Sequence, residues 1–334
     1  MNDVFDHDSH GLTVPEAVPA AGGDPDLDAL RDGDLACWVA TGETSDLPDW
    51  LSAAVADGEI VTSERRFDVE LTERTSRFGR LRSAVVHGAG RLDDDAFEDA
   101  VARAYEAALE GLESGRLLRA WNFVPGINDP ASASGEGLDR DRYMVFNAGR
   151  FRAFTEAFGN LEWFPVASGV GHAGDTMVVH LLHGEAAVAP VDNPRQVRPE
   201  SYSRRFGHPT PAFARAGRVR WPDEEALLVS GTASVVGEAS RHTDDLEAQV
   251  EETLSNLEVV VERGWPGAVP TDLADWLVYL PDPSDAEVVL RLVGERWPEG
   301  RPRITFRGQR LCRPELRVEI ECAGFRGVAD GARS

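Results

Sequence analysis

An internal repeat is the feature of this sequence that most restricts its fold. The first copy begins with the apolar stretch LRSAVVHGAG at 81–90 and ends with MVVHLLHG at Gly184. The second copy begins with ALLVSGTASVVG at 226–237 and ends with RVEIECAG at Gly324. The apolar spacing of both copies predicts the order strand, helix, strand, helix, strand, strand. A repeat of about 150 residues is far longer than the roughly 20–50-residue units of solenoids, so it indicates a duplicated domain.

Apolar residues at helical spacing predict two helices in each copy. The second helix of the first copy lies near 149–159, and that of the second copy covers 284–295. The first helices are marked by Phe97, Val101, Tyr105, Ala108 and Leu112, and by Leu246, Val250, Leu254, Leu257 and Val261. We therefore predict an α+β fold of two tandem domains, each a mixed β-sheet with two helices packed on one face.

The composition divides the chain into four parts. Residues 1–60 are rich in Asp, Gly, Ala and Pro, which predicts an acidic, partly disordered lead with one short strand around ACWVATG. The N-terminal domain then covers 61–188 and the C-terminal domain covers 220–334. The connector between them, 189–219, is rich in Pro and Arg and contains Tyr202. Because a plain linker in an acidic chain would seldom concentrate Arg, we expect this connector to contribute to the active site.

The charge of the chain excludes some classes of partner. Its net charge is −24 and all 34 basic residues are Arg, with no basic stripe, so nucleic acid is not an expected partner. Such an acidic excess resembles proteins from salt-in halophiles, where molar salt shortens the Debye length to roughly 3 Å; an acidic mesophile protein is the alternative. No signal peptide and no membrane-length apolar run is recognisable, so we expect a cytoplasmic protein.

Several motif-like segments do not predict a site. GVGHAG at 169–174 has the spacing of a dinucleotide-binding loop, but DTMVVHLLHG follows and predicts a strand where that motif needs a helix. His180 and His183 would face opposite sides of this strand, and no carboxylate stands at a spacing that would complete a metal site with His172. The three cysteines form no CxxC pair, and the serines at 230–240 lack a GxSxG elbow. We expect neither a metal nor a cofactor.

Arginines in apolar or motif-like settings are the unusual feature of this acidic chain. The guanidinium group is a planar fork that binds a carboxylate through two hydrogen bonds. Several such forks that converge would form a local pocket for an anion; pairing of each Arg with a surface carboxylate is the alternative. The arginines concerned are Arg119, Arg150, Arg195, Arg205, Arg215 and Arg313.

A pair of carboxylates lies in the last predicted strand, LRVEIECAG. Val318, Ile320 and Cys322 alternate with Glu319 and Glu321, so both carboxylates should point to the same face. A carboxyl group can protonate a substrate at neutral pH when an apolar pocket raises its pKa. The two carboxylates are therefore either solvent-exposed surface groups, or one of them is a catalytic acid.

Six segments in this order resemble the chorismatase family, also described as 3-hydroxybenzoate synthases or pteridine-dependent deoxygenase-like proteins. The likeness extends from about residue 80 to residue 324. It implies two tandem domains, each similar to the subunit of Rid (YjgF/chorismate-mutase-like) proteins, with the active site in the C-terminal domain near the interdomain cleft. The segments are RAWNFVPGIN, YMVFNAGRFRAF, VASGVG, DNPRQVRPESYSRRFGHPTPAFARA, LLVSGTASVVG with DLEAQVEETLSNL, and CRPELRVEIE.

The resemblance implies cleavage of chorismate to pyruvate and a cyclic carboxylic acid, through protonation of the enolpyruvyl ether. In the family the acid is the first Glu of the closing VEIE, here Glu319, which we expect to be buried while Glu321 lies nearer solvent. Cys312 stands at the position that marks the branch forming 3-hydroxybenzoate rather than a dihydroxycyclohexadiene carboxylate, and it is the second expected catalytic residue. A duplication within one chain can replace subunit contacts, so we expect a monomer. The residues expected to bind the substrate are Arg119, Arg150, Tyr202, Arg205, Arg215 and Arg313.

The sequence also departs from the family pattern. It has GEAS at 237–240 where the family usually has GHES, and Phe123 and Phe206 stand where Tyr is common. Loss of hydroxyl donors would weaken substrate binding or alter the substrate. Two alternatives therefore stay open: a Rid-type imine or enamine deaminase that uses the same Arg and Glu groups, and a non-catalytic paralogue that binds small carboxylates.

Overall fold

The computed structural model describes residues 37–40, 47–56, 58–113, 117–131, 140–159, 164–172, 174–300 and 302–328. The elements that precede and form the N-terminal unit are β1 (Cys37–Ala40), α1 (Asp49–Ala56), β2 (Ile60–Arg66), β3 (Val69–Ser76), β4 (Gly79–Val86), α2 (Asp94–Leu109), β5 (Leu117–Pro125), α3 (Arg142–Phe158), β6 (Val166–His172) and β7 (Met177–His183). Those of the C-terminal unit are β8 (Ala187–Val191), β9 (Ala216–Arg220), β10 (Glu224–Ala233), α4 (Leu246–Gly264), β11 (Asp275–Leu280), α5 (Ala286–Arg296), β12 (Arg303–Gly308) and β13 (Glu319–Gly327).

The two sheets repeat one topology. The N-terminal sheet has the order β2-β3-β4-β7-β5-β6, and β5 and β6 are parallel while the other neighbours are antiparallel. The C-terminal sheet has the equivalent order β8-β9-β10-β13-β11-β12, in which β11 and β12 are parallel, and β1 is added beside β12 as a further parallel strand. The predicted duplication and its order of strands and helices are confirmed.

Each sheet buries one face under two helices. Phe97 on α2 and Phe146 on α3 pack with Val179 of β7 in one fully buried core. In the C-terminal unit α4 and α5 form the matching core, in which Leu254 packs with Ile320 of β13. Burial of a large aliphatic or aromatic side chain contributes roughly 1.5–3 kcal/mol, so these cores hold the helices to their sheets. The predicted fold class, two α+β units with two helices on one face of each mixed sheet, is confirmed.

The helices α2, α3 and α4 begin at aspartate caps. The Asp141 side chain accepts a hydrogen bond from the backbone N–H of Met144 at 2.8 Å, and Asp93 and Asp245 cap α2 and α4 in the same way. Because of this cap, α3 begins at Arg142, whereas the predicted helix began near residue 149. The helix therefore presents its first turn, which the sequence interpretation left out, to the centre of the molecule.

The two sheets pack face to face, so the layers follow the order helices, sheet, sheet, helices. A third apolar cluster lies between the sheets, with Trp121 and Val178 from the N-terminal sheet and Leu228 and Leu277 from the C-terminal sheet. Along β13, Ile320 and Cys322 face the helices and Ala323 faces the other sheet. Since side chains alternate along a strand, Glu319 and Glu321 also point between the sheets, both on the same face as predicted.

The structure differs from the predicted division of the chain at two places. The predicted connector, 189–219, begins and ends inside strands, because β8 and β9 pair with each other in the C-terminal sheet, with Val191 opposite Ala216. The non-repetitive segment is therefore 192–215. The strand predicted around ACWVATG is present as β1, but α1 was not predicted, and the disorder predicted for the start of the lead falls on residues outside those described.

The motif-like segments have structural roles. GVGHAG leads from β6 toward β7, so a strand follows it, as predicted. His180 lies 2.7 Å from the Ser83 hydroxyl, and His183 lies 3.5 Å from a carboxylate oxygen of Glu73. Among the described residues, no three His, Cys, Asp or Glu side chains group as metal ligands, and no helix is long and apolar enough to cross a bilayer.

Candidate functional site

A cavity of about 300 Å³ lies where the two units and the connecting segment 192–215 meet. The N-terminal unit contributes the first turns of α3 and the residues 167–169 of β6, and the C-terminal unit contributes β10, the start of β13 and the segment before it. Its lining includes Asp141, Tyr143, Met144, Arg150, Ser168, Gln196, Tyr202, Arg205, Phe206, Phe213, Arg215, Gly231, Cys312, Arg313, Glu315 and Glu319. A cavity of this size with converging polar groups is suited to a small ligand.

Glu319, the predicted acid, opens β13 and lines this cavity with 5% of its surface exposed. Burial, followed by the negative charge of Glu321, raises its pKa to about 8 against the opposing charges of Arg119, Arg313 and Arg215. A carboxyl group with this pKa carries its proton at neutral pH. It is therefore able to act as a general acid.

Gly231 makes room for the carboxyl group. A Cβ atom on Gly231 would lie 1.9 Å from Glu319 Oε1 and 2.7 Å from its Cδ, so no larger residue fits beside the acid. The same glycine donates its backbone N–H to the Ser168 hydroxyl at 3.1 Å, across the boundary between the two sheets. The stretch SGTAS in β10 thus brings the backbone of the second unit against the acid.

Two buried arginines lie in the cavity wall with unused donors. Arg150 on α3 is 3% exposed and donates to Asn147 Oδ1 at 2.9 Å; Arg215 is 8% exposed and donates to the Tyr202 hydroxyl at 2.6 Å. The Nε atoms of both arginines are buried without a hydrogen-bond partner. An unpaired buried donor costs about 1–3 kcal/mol, so an acceptor group that reached either guanidinium would stabilise it.

Arg313 and Arg205 occupy the side of the cavity formed by the connecting segment. The Arg313 guanidinium lies 4.1 Å from the centroid of the Phe206 ring and donates to the backbone oxygen of Glu238 at 2.9 Å. Arg205 is exposed, and its guanidinium lies 4.5 Å from the centroid of the same ring. Stacking on an aromatic face holds a guanidinium flat and leaves its edge for a carboxylate.

Arg119, which was expected to bind the substrate, lies elsewhere. It is 2% exposed and sits between the sheets, where it donates to Glu321 at 2.8 Å, to the Ser168 hydroxyl at 2.9 Å and to the backbone oxygen of Val229 at 2.9 Å. Glu321 is 3% exposed, so the prediction that it lies nearer solvent than Glu319 was wrong. The reason is that a second sheet covers this face of β13.

Cys312 lines the cavity and is half-buried. Burial, followed by the nearby charge of Glu319, raises the pKa of its thiol to about 12. The sulfur is therefore a neutral thiol at physiological pH, and a neutral thiol is a poor nucleophile. It can shape the cavity or donate a weak hydrogen bond.

The departures from the family pattern have separate consequences. Phe206 lines the cavity, whereas Phe123 is 1% exposed and packs between the sheets. Glu238, in GEAS, accepts hydrogen bonds from the backbone N–H and the hydroxyl of Ser203, both at 2.7 Å. It thereby ties the connecting segment to the short hairpin after β10, close to Tyr202.

Sequence reasoning missed several residues of the cavity wall. Ser168, Gln196, Tyr143 and Phe213 line it although they did not appear among the candidates. Tyr143 belongs to the helical turn that was not predicted. One sequence signal for this part of the site was Gly231, because a glycine inside a strand indicates that other atoms approach its backbone closely.

Comparison with known proteins agrees with this geometry. The family model described as "Chorismatase FkbO/Hyg5-like, N-terminal" matches residues 63–183. A protein of Streptomyces hygroscopicus named 3-hydroxybenzoate synthase is 30% identical over 286 residues, which cover 78% of this chain and 82% of that protein. A protein of Streptomyces rapamycinicus named chorismatase is 30% identical over 218 residues, 61% of this chain and 63% of that one.

A solved structure supports the same conclusion at the level of the fold. The crystal structure of a chorismatase superposes with a TM-score of 0.63 at 23% sequence identity, and the match covers 90% of this chain and 96% of that one. The likeness thus includes both units and the segment between them. The chain belongs to the chorismatase family.

Proposed function

We propose that this protein cleaves chorismate to pyruvate and a cyclic carboxylic acid, with Glu319 as the acid. One observation carries the proposal: a buried carboxyl group whose pKa is raised to about 8 shares a cavity with buried arginines whose Nε donors have no partner. Names of the relatives supply the substrate class, and this pairing of an acid with anion-binding groups fits a dicarboxylate that must be protonated.

The reaction begins with a proton transfer. Glu319 gives its proton to the methylene carbon of the enolpyruvyl ether, which forms an oxocarbenium ion at the ether carbon. When water adds to that carbon and gives up a proton, cleavage of the original ether bond, with a proton to the ring oxygen, releases pyruvate and the dihydroxy acid. When the neighbouring ring hydroxyl adds and gives up its proton, the original ether bond breaks with a proton to its ring oxygen. The bond from the ring to the attacking oxygen then breaks as well, pyruvate leaves with that oxygen, and the ring loses a C–H proton to become aromatic. General acid catalysis by a positioned group contributes roughly 10²–10⁴-fold to the rate.

The arginines supply the binding energy and the orientation. We propose that Arg150 and Arg215 bind the carboxylates of the substrate through their guanidinium groups, and that Arg313 and Arg205 contact the substrate on the side of the cavity formed by the connecting segment. Tyr202, whose hydroxyl accepts from Arg215, holds that guanidinium in place. Charge-assisted hydrogen bonds of this kind are about twice as strong as neutral ones, so two of them fix a dianion against the acid.

The product that we propose is 3-hydroxybenzoate. Cys312 stands in the cavity wall as a neutral thiol, and one relative carries the name 3-hydroxybenzoate synthase. Chorismate and the sum of pyruvate and 3-hydroxybenzoate have the same atoms, so this branch needs no net water. A thiol beside the ring is placed to favour attack by a ring hydroxyl over attack by solvent.

We also propose that the protein works as a single cytoplasmic chain of two domains, with the connecting segment 192–215 as part of the site. Residues of both units and of that segment line the cavity, which makes a second copy unnecessary for the site. Size-exclusion chromatography with light scattering measures the molar mass in solution and so tests whether the protein is a monomer.

Activity should depend on pH in one direction. The protonated form of Glu319 is the active acid, and its pKa is raised to about 8. The kcat/KM for chorismate should therefore be constant below pH 7 and fall as the pH rises through about 8. A profile that rises through pH 8 would show that Glu319 acts as a base instead.

The direct test is Glu319→Gln in an assay of chorismate loss and pyruvate release at several salt concentrations. The amide keeps the shape but has no acidic proton, so kcat should fall by about 10²–10⁴-fold while the Kd for chorismate changes little. Glu225→Gln, in the same sheet and also buried, is the control and should retain activity. Absence of pyruvate with folded parent protein would refute the proposal, and ammonia release from imines would then support the deaminase alternative.

A further inference from the structure

Glu321 accepts hydrogen bonds from an unusual number of donors for a buried carboxylate outside the cavity wall. The Arg119 Nη2 atom donates to it at 2.8 Å, the Trp121 indole N–H at 2.9 Å and the Tyr279 hydroxyl at 3.2 Å. The Ser168 hydroxyl donates to the same oxygen as Arg119. An ionised carboxylate has oxygens that only accept, so this set of donors fits an ionised Glu321.

Most of these donors come from the other unit. Arg119 and Trp121 lie on β5 and Ser168 lies on β6, whereas Tyr279 and Glu321 belong to the C-terminal sheet. A buried ion pair of this kind recovers its desolvation cost only with additional hydrogen bonds, which are present here. A buried ion pair often contributes little net stability, so stability does not explain why this pair is present. We therefore consider a functional role for it.

The network reaches Glu319 through two contacts. The Ser168 hydroxyl that binds Glu321 also accepts from the backbone N–H of Gly231, and Gly231 packs directly on the Glu319 carboxyl group. Tyr279, whose hydroxyl binds Glu321, is the strand partner of Glu319 across β11 and β13. Two residues along one strand place the two carboxyl groups about 7 Å apart at their Cα atoms.

We propose that Glu321 is a positioning residue for the reaction. Its carboxylate, held from the N-terminal unit by Arg119 and Ser168, keeps Glu319 against Gly231 and in the acid form. The inference rests on the proposed function for its catalytic meaning. Its physical content, the effect of Glu321 on the protonation of Glu319, is independent of the substrate.

Electrostatics supports this role. The cations near Glu319 would by themselves favour its ionised form, and the negative charge of Glu321 opposes them. Without Glu321, the buried Arg119 would be left unbalanced close to the acid. The charged and titratable groups that face this region are Arg119 on β5, Asp141 before α3, Tyr143 and Arg150 on α3, Arg215 before β9, Tyr279 on β11, Cys312, Arg313 and Glu315 before β13, and Glu321 on β13.

The test is a titration of Glu319 in the whole protein by infrared difference spectroscopy of the carboxylic C=O band. The band of Glu319 is identified by its loss in Glu319→Gln. In Glu321→Gln the midpoint should move down by about one pH unit or more, since a cation then lacks its counter-charge. If chorismate is the substrate, the alkaline limb of kcat/KM should move by the same amount, with kcat affected more than KM.

Two further variants separate positioning from general damage. Glu225→Gln also removes a buried carboxylate that holds Arg218 and Arg326, but register places it eight residues along β10 from the partner of Glu319, roughly 25 Å away. In Glu225→Gln, the midpoint of the Glu319 titration should therefore stay at the value of the parent protein. Replacing both partners, Arg119→Met with Glu321→Gln, removes both charges and should return the midpoint most of the way to that of the parent.

The outcomes decide between the two proposals. An unchanged midpoint in folded Glu321→Gln, or an equal shift in Glu225→Gln, overturns the positioning role. If Glu321→Gln fails to fold, Arg119→Met is compared with the double variant, because equal Glu319 midpoints in these two proteins would show that Glu321 has no effect on Glu319 and would overturn the positioning role. A shift as expected in a protein that does not turn over chorismate overturns the proposed function and leaves the positioning role standing.

Discussion

At the scale of single residues, the space beside the acid depends on one missing side chain. Gly231→Ala would place a Cβ 1.9 Å from Glu319 Oε1, so the carboxyl group must move. A displacement of about 1 Å of a catalytic group costs on the order of 10²-fold, and we expect kcat for chorismate to fall by that amount. Steady-state kinetics at pH 7 measure it.

A second glycine provides the control for this substitution. Gly294 on α5 has no atom within 4 Å of an added Cβ. Gly294→Ala should leave kcat unchanged and stabilise the helix by about 0.5–1 kcal/mol. Full activity of Gly231→Ala would show that Glu319 has room to spare and that the close approach is unimportant.

The thiol in the cavity wall should govern the product more than the rate. Cys312 is protonated at neutral pH because burial raises the pKa of its thiol to about 12, so we do not expect it to act as a nucleophile. Cys312→Ala should lower the fraction of 3-hydroxybenzoate among the aromatic and dihydroxy products, while chorismate consumption changes less than about tenfold. Chromatography with mass detection gives the ratio.

The other buried cysteine is a matched control. Cys322 faces the helices of the C-terminal unit, away from the cavity. Cys322→Ala should leave the product ratio of the parent protein intact. The same ratio in Cys312→Ala would remove the thiol from the explanation of the product.

At the scale of elements, the caps of the two helices of the N-terminal unit distinguish stability from function. Asp93 caps α2 and Asp141 caps α3, each through one hydrogen bond to the backbone. Replacing either by Ala should lower the free energy of unfolding by about 1 kcal/mol, measured in urea. Only Asp141→Ala should also raise the KM for chorismate, by on the order of tenfold or about 1.4 kcal/mol, because α3 carries Arg150 into the cavity.

An equal effect of the two substitutions on KM would contradict this assignment. Asp93→Ala serves as the control because α2 contributes no residue to the cavity wall. A variant that loses stability without a change in KM shows that the start of α3 is not critical for the position of Arg150.

Much of the element order could be predicted because it depends on local periodicity. The strands and helices of both copies have apolar residues at spacing two or near four, so the duplication was readable from the sequence. The strands β8 and β9 were missed for a physical reason: AVAPV contains Pro190 and AGRVR contains Gly217 and two arginines, which weakens any apolar pattern. Pro190 is tolerated because β8 is the edge strand of its sheet.

The site was predicted in part. Alternation along the last strand placed Glu319 and Glu321 on one face, but which face of a sheet receives a second sheet is a long-range property that periodicity does not contain. For this reason Arg119 was expected in the substrate pocket, while the structure places it on Glu321. Arg150, Arg205, Arg215, Arg313, Tyr202 and Cys312 do line one cavity with Glu319.

At the scale of the whole molecule, the net charge of −24 should make stability depend on salt. Repulsion among the carboxylates is screened as the Debye length falls from about 10 Å at 0.1 M to about 3 Å at 1 M. We expect the Tm to rise by roughly 5 °C between these KCl concentrations, as measured by calorimetry.

An uncharged osmolyte is the control for this prediction. Sucrose stabilises proteins by its exclusion from their surface and does not screen charge, so it should raise the Tm without removing the dependence on KCl. A Tm that is insensitive to KCl would show that ion pairs such as Arg296 with Glu258 already balance the surface.

The face-to-face packing of the two sheets has a consequence for how loss of function should appear. Glu319, the acid, belongs to the C-terminal half, whereas Arg119, which binds Glu321, belongs to the N-terminal half. The anion-binding groups come from both halves and from the segment that joins them. Separation of the halves by even a few ångströms would move the acid away from the anion-binding groups, although every helix and strand would remain intact. The rate of turnover therefore depends on how the two halves pack against each other. Mild denaturant should abolish activity before circular dichroism detects any loss of secondary structure.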